Sequence, residues 1–205
     1  MRTLMPVVAV GVALLLAGCS GGTTVAPDAT ATASPSPAPT GTPLAIPMVD
    51  VSKECTVTIE TEKGDLILGL FAADAPITVS NFIYLARQGF YDGTTFHRVI
   101  PGYVAQGGDP TGTGNGGPGY FIPDEISDRT HVQGALSMAN HGFPDTAGSQ
   151  FFITYEAQPQ LDGRYSVFGQ LVNGMEVLEQ LTSGDVLQDP GFVGDRVIRM
   201  TVEEG

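Results

Sequence analysis

Phe96-His97-Arg98-Val99-Ile100-Pro101-Gly102-Tyr103-Val104-Ala105-Gln106-Gly107-Gly108-Asp109 is the stretch on which the reading of this chain turns. Two short apolar runs, Thr95 to Ile100 and Tyr103 to Gln106, are separated by the turn residues Pro101 and Gly102. Segments of that length bounded by Pro and Gly spell strand rather than helix. Successive side chains on a strand point to opposite faces, so Arg98 is expected to share a face with Phe96 and Ile100. Further along, Gln150 is expected to share one with Phe152 on the same rule. A guanidinium and an amide, each beside an aromatic ring, would make a groove that is part polar and part apolar. Periodicity alone favours the plainer alternative, a solvated strand arginine and a satisfied surface amide.

The pattern continues outward. Cys55, Val57 and Ile59 alternate with Thr56, Thr58 and Glu60, which predicts a half-buried strand with Cys55 as a small apolar residue at its start. Glu62 to Asp65 turns the chain into a second strand, Leu66 to Phe71, making a hairpin. Pro76 opens a helix whose apolar face is Val79, Phe82, Ile83 and Ala86, with Gly89 closing it. A second helix is expected near Met175 to Leu181. Further strands are expected at Ala135 to Ala139, Gln150 to Thr154, Ser166 to Leu171 and Arg196 to Val202. Many short strands with two helices predict a mainly antiparallel barrel or sandwich.

The beginning of the chain is different in kind. An apolar run from Leu4 to Leu16 follows Arg2 and is too short to span a bilayer, which needs about 20 residues. It fits the core of a secretion signal. It ends in Leu16-Ala17-Gly18-Cys19, which resembles the lipobox of bacterial lipoproteins, so residues 1–18 are expected to be a signal peptide and Cys19 a lipidated N-terminus, the alternative being an ordinary signal peptide with a chance Cys and a secreted protein. Residues 19–50 are rich in Thr, Ala, Pro and Ser and hold six of the 15 prolines. That composition has little apolar surface to offset ordering and predicts a solvated tether. Residues 51–205 are left as one domain.

Composition excludes several functions. With Lys+Arg 9 against Asp+Glu 22, the net charge is −13, and no basic footprint exists for nucleic acid. His97, His131 and His141 form no metal-spaced pair, and no metal is expected. Gly148-Ser149-Gln150 lacks the second glycine of a nucleophile elbow. Gly112, Gly114 and Gly117 have dinucleotide-type spacing, but Pro118-Gly119-Tyr120-Phe121-Ile122-Pro123 cannot start the helix that a pyrophosphate needs. That run is expected to be a tight loop.

The Phe96–Gly102 run, Gln106-Gly107-Gly108-Asp109, Ser137-Met138-Ala139-Asn140 and Gly148-Ser149-Gln150-Phe151-Phe152-Ile153 together resemble the cyclophilins, the peptidyl-prolyl cis–trans isomerases, in the family's own order. Leu161-Asp162-Gly163 and Val167-Phe168-Gly169 follow where that family has them. The resemblance covers Val51 to Gly205. It implies a mainly β fold, a closed eight-stranded antiparallel barrel capped by two α-helices, with a peptide groove on its outer surface. It places the catalytic arginine at Arg98. It places the substrate-binding set at Tyr103, Val104, Gln106, Ala139, Asn140, Gln150, Phe152, Gln160, Leu161 and Tyr165. Gln160 stands where many members carry Trp, so weak cyclosporin binding at most is implied; the chain has no Trp. There is one extra residue between Asn140 and Gly148. The implied reaction transfers no proton and requires no cofactor. The expected partners are proline-containing peptides and unfolded exported proteins, met by a monomer held at the outer face of the membrane through Cys19. The alternative is a membrane-tethered proline-peptide-binding module with weak or no isomerase activity.

Overall fold

A computed structural model describes residues 46–205. The expected signal peptide, Cys19 and most of the tether therefore lie outside the described residues. Ile46 and Val49 pack partly buried against the core, and the Val49 N–H donates to Ser80 Oγ at 3.0 Å, so packing begins ahead of Val51.

Strand β1 (Cys55–Thr61) and β2 (Gly64–Leu70) form the expected hairpin, with Thr61 opposite Gly64 and Glu62-Lys63 as the two-residue turn. Gly64 has φ of +129°, a conformation that favours glycine. Helix α1 (Pro76–Arg87) buries Val79, Phe82, Ile83 and Ala86. Its first residue is the proline, and no side chain at Ala75 caps it. Instead Glu125, 47 residues further on, accepts from Ile77 N–H at 2.9 Å and from Thr78 N–H and Oγ1 at 2.7 Å each. The C-terminal end is a Schellman turn: Gly89 N–H donates to Ala86 O and Phe90 N–H to Leu85 O, both at 3.0 Å. The second helix, α2 (Met175–Leu178), is a single turn.

The remaining strands are β3 (Arg98–Ile100), β4 (Val104–Gly107), β5 (Ala135–Met138), β6 (Phe151–Thr154), β7 (Val167–Asn173), β8 (Gly184–Asp185) and β9 (Val197–Glu204). They make one antiparallel sheet in the order β8-β3-β4-β6-β5-β7-β2-β1-β9. The fold is mainly β, as expected, but the sheet is open and has nine strands rather than eight closed into a barrel. Each strand has two edges. The terminal strands β8 and β9 are each paired on one side only and do not pair with each other; β8 offers just two residues, Gly184 and Asp185, for a ladder. Where the ends of the sheet approach, Gly93, Val197 and Phe96 donate to Val197 O, Thr94 O and Asp195 O, and Thr95 makes isolated bridges to Asp109 and Arg196. No ladder forms there.

A second difference follows from the short β3. Phe96 is fully buried in the core, edge-on to Phe151 at 6.1 Å, while Arg98 faces outward. Strand alternation does not extend back from Arg98 because residues 95–97 are not strand: His97 O accepts from Val186 N–H and Phe96 N–H is drawn to Asp195 O. β5 and β6 are buried on both faces. One face packs on the core; the other supports the groove.

Candidate active site

Outside the core lies a small second cluster, in which buried Val104, Phe152 and Leu161 are packed by Tyr103, Ala139 and Tyr165. On β6, Phe151 and Ile153 point into the core, so the two-residue period puts Phe152 on the opposite face; Val104 stands the same way beside core Ala105 on β4. Leu161 ends a 3-10 turn, Pro159–Leu161, laid over that face. Together with Arg98, Gln106 and Asn140, these six line a cavity of ≈ 90 Å³ in which Arg98 is the one charged side chain.

The cavity floor is held rigidly. Tyr165 meets Phe152 edge-on at 5.4 Å and 89°, and His131 stacks behind it at 5.8 Å and 12°. Asp162 Oδ1 accepts from the His131 backbone N–H at 2.7 Å and lies 2.8 Å from its Nδ1. The backbone hydrogen bond, and then the ring one, hold the Asp162 carboxyl below its usual range. Since Asp162 follows Leu161, one carboxylate couples the wall of the cavity to the ring behind its floor. Sequence reasoning weighed His131 only as a metal ligand and missed this pair. The Leu161-Asp162-Gly163 motif was its one visible signal.

Polar groups follow from register. Gln106 lies opposite Arg98 across β3–β4 and opposite Phe152 across β4–β6. Its Nε2 donates to Gln150 Oε1 at 2.9 Å, so Gln150 and Phe152 do flank the same amide. Gln150 Nε2 in turn donates to Gly114 O at 3.1 Å and Gly116 O at 2.9 Å. Gln150 therefore stands apart from the small cavity and lines an adjoining one of ≈ 600 Å³, which also includes Gln106, Ala139, Asn140 and His141. The backbone N–H and C=O of Asn140 have no hydrogen-bond partner among the described residues, while its side chain accepts from Gly142 N–H at 3.1 Å and donates to Arg164 O at 3.4 Å. Those two backbone groups are free to pair with an extended peptide. Gln160 lines neither cavity; it is exposed and donates to Gln158 Oε1 at 2.6 Å. In the loop with the extra residue, Phe143 is 71% exposed.

Arg98 leans over Tyr103, with Cζ 5.5 Å from the ring centroid, and its Nε donates to Asp185 Oδ2 at 3.3 Å. Asp185 was not found from sequence. It lies on a two-residue strand among turn residues, too short for any periodicity to show. The glycine run from Gly107 to Gly119 is organised around buried Asp109, whose carboxylate accepts from Thr111 N–H and Oγ1, Gly114 N–H and Gly116 N–H at 2.6–3.1 Å. Burial pushes that carboxyl up, but these donors outweigh it and hold it below the usual range. A Cβ at Gly116 would run into the carboxylate. The amides a phosphate would need are already taken by an anion.

Residues 56–202 match the family described as cyclophilin type peptidyl-prolyl cis-trans isomerase/CLD. The chain belongs to this family.

Among its relatives, a peptidyl-prolyl cis-trans isomerase of Synechococcus elongatus is 53% identical over 139 residues, which is 67% of this chain and 95% of that protein. Peptidyl-prolyl cis-trans isomerase B of Bacillus subtilis is 55% identical over 122 residues, covering 58% of this chain and 85% of the relative. A cyclophilin type isomerase of Cryptosporidium parvum has a similar crystal structure, with a TM-score of 0.68 and 39% identity over 75% of this chain and 99% of that one. A second crystal structure of that isomerase was obtained in the presence of the dipeptide Ala-Pro, with a TM-score of 0.66. The present cyclophilin is thus a peptidyl-prolyl cis–trans isomerase: it accelerates rotation about the peptide bond before proline.

Proposed function

We propose that Arg98 is the catalytic donor of this isomerase, and that the enzyme acts on exported proteins at the outer face of the cell membrane. The rotating bond is planar because nitrogen's lone pair is delocalised into the carbonyl, which sets a barrier of about 18–20 kcal/mol. In the twisted transition state that delocalisation is lost and the prolyl nitrogen becomes a hydrogen-bond acceptor. A donor fixed where that nitrogen will be stabilises the twisted amide more than the planar one, which is the requirement for catalysis. Arginine is permanently charged and suits the role. The observation that carries this is the placement of Arg98, the one charged side chain on a cavity floored by Phe152 and walled by Val104 and Leu161. The proline ring docks on that apolar floor. Tyr103 and Tyr165 flank it, the backbone of Ala139-Asn140 aligns the preceding residues, and Gln106, braced by Gln150, holds the peptide carbonyl.

The site of action rests on the sequence. An apolar run ending in Leu16-Ala17-Gly18-Cys19, followed by a Pro-rich stretch, supports export and lipidation at Cys19. Chains emerging from the membrane are unfolded and carry proline bonds that exchange over tens of seconds or more without a catalyst. The test is fractionation of a bacterium expressing the full chain, with prolyl exchange assayed in each fraction. Wild type is expected in the membrane fraction and Cys19→Ala in the soluble exported fraction, both active. A Cys19→Ala protein that still partitions with membranes overturns the anchor.

A further inference from the structure

The hydrogen bond between Arg98 and Asp185 lies outside the peptide-binding set, yet it holds the group on which the proposed chemistry depends. β8 pairs antiparallel with β3, placing Asp185 directly opposite Arg98. Residues so paired present their side chains on one face, close enough to interact. Asp185 is itself immobilised. Its Oδ1 accepts from Leu187 N–H at 2.9 Å and its Oδ2 from Gln188 Nε2 at 3.1 Å, while its backbone O accepts from Gln188 N–H at 3.0 Å and Asp189 N–H at 2.8 Å. The carboxylate is 11% exposed and Arg98 25%. Arg98 donates through Nε, with Tyr103 beneath the guanidinium, and neither Nη atom has a hydrogen bond among the described residues.

Resting on the assignment of Arg98 as donor, we infer that Asp185 is a positioning residue, which fixes the plane of the guanidinium before substrate arrives and leaves its two outer nitrogens for the prolyl nitrogen. An arginine has several rotatable bonds, and a donor that must first be ordered contributes less to the transition state than one already in place. Asp185 also works in the opposite sense, because its negative charge cancels part of the arginine's positive field. Placement outweighs field here. The acceptor is a neutral amide nitrogen, whose hydrogen bond weakens steeply with misalignment, whereas the attraction of a charge to it is modest in a partly solvated groove.

The experiment measures kcat and KM separately, by NMR exchange on an Ala-Pro peptide, for wild type, Asp185→Ala, Asp185→Asn, Arg98→Ala and the Arg98→Ala/Asp185→Ala double variant, with thermal unfolding of each. Asp185→Ala is expected to lower kcat about three- to tenfold with KM within about twofold of wild type. Asp185→Asn keeps an oxygen for Nε and is expected to lose less. The double variant should be no slower than Arg98→Ala alone, since Asp185 acts only through Arg98. A merely structural role would slow the double variant further, and that result overturns the inference. So does an Asp185→Ala enzyme as fast as wild type or faster while Arg98→Ala is slow. If Arg98→Ala itself retains normal activity, the assignment of the donor falls, and with it the role of Asp185.

Discussion

Replacing Arg98 by alanine separates its contribution to rate from its contribution to stability. A hydrogen bond to a charged donor is worth about 1.5–3 kcal/mol, so its loss should lower kcat/KM about 10–150-fold, at 1.36 kcal/mol per tenfold. The effect on folding is smaller. The ion pair with Asp185 involves a side chain 25% exposed, and such partly solvated pairs are worth about 0–1 kcal/mol. The stacking on Tyr103 at 5.5 Å adds about 0.5–1 kcal/mol. Asp185 keeps Leu187 N–H and Gln188 Nε2 as donors, so no bare buried carboxylate is left behind. The summed cost of about 2 kcal/mol at most corresponds to a fall in Tm of less than about 8 °C. NMR exchange on an Ala-Pro peptide reads the rate without a coupling protease, and thermal unfolding reads the fold. Arg98→Lys restores a point charge without Nε or the planar fork, and is expected to recover little of the activity. An alanine variant that unfolds normally and retains more than half the wild-type kcat/KM refutes the assignment.

Two further outcomes concern Glu125 and His97, neither of which lines the proline-binding cavity. Glu125→Gln leaves α1 with one amide oxygen in place of the carboxylate that now receives three donors, so stability should drop by about 0.5–2 kcal/mol in a thermal or denaturant melt while isomerase activity is kept; an unchanged melt refutes the capping role. His97 is 2% exposed, and neither ring nitrogen has a partner among the described residues. Burial pushes its imidazole below the ordinary value of 6.5, against the opposing pull of Asp109 and Asp185. Below pH 6.5 the unfolded chain takes up a proton that the folded chain refuses, so His97 lowers stability as pH falls from 6.5 to its folded pKa and adds no pH dependence above that window. A His97 ring titrating at or above 6.5 by NMR would contradict this.

How much was legible from sequence differs element by element. The β1–β2 hairpin and α1 were readable because their signals are local: a period of two, a period near four, a proline at the start of the helix and a glycine past its end. The side of the sheet on which Phe152 and Val104 stand was also local, since alternation alone opposes them to Phe151 and Ala105. Local rules failed at Phe96, where alternation put it beside Arg98 and tertiary contacts turned it into the core. They also failed at the sheet's ends, where β8, only two residues long, and β9 do not pair with each other. The resemblance places Gln160 in the groove, at a position where many members carry Trp, but the position of a residue in a tight turn does not fix the direction of its side chain, and this one turns to Gln158.

The sequence by itself determined the chemistry available: a cationic donor, amides and aromatic rings on strands, with no base, nucleophile or metal-spaced set. Only the tertiary structure decided what holds each of them. Asp185 lies 87 residues from Arg98, Asp162 31 from His131, and Glu125 47 from Thr78. Each is a carboxylate in a loop, a turn or a two-residue strand, where no periodicity marks it, and its partner is chosen by chain crossings that local pattern does not encode.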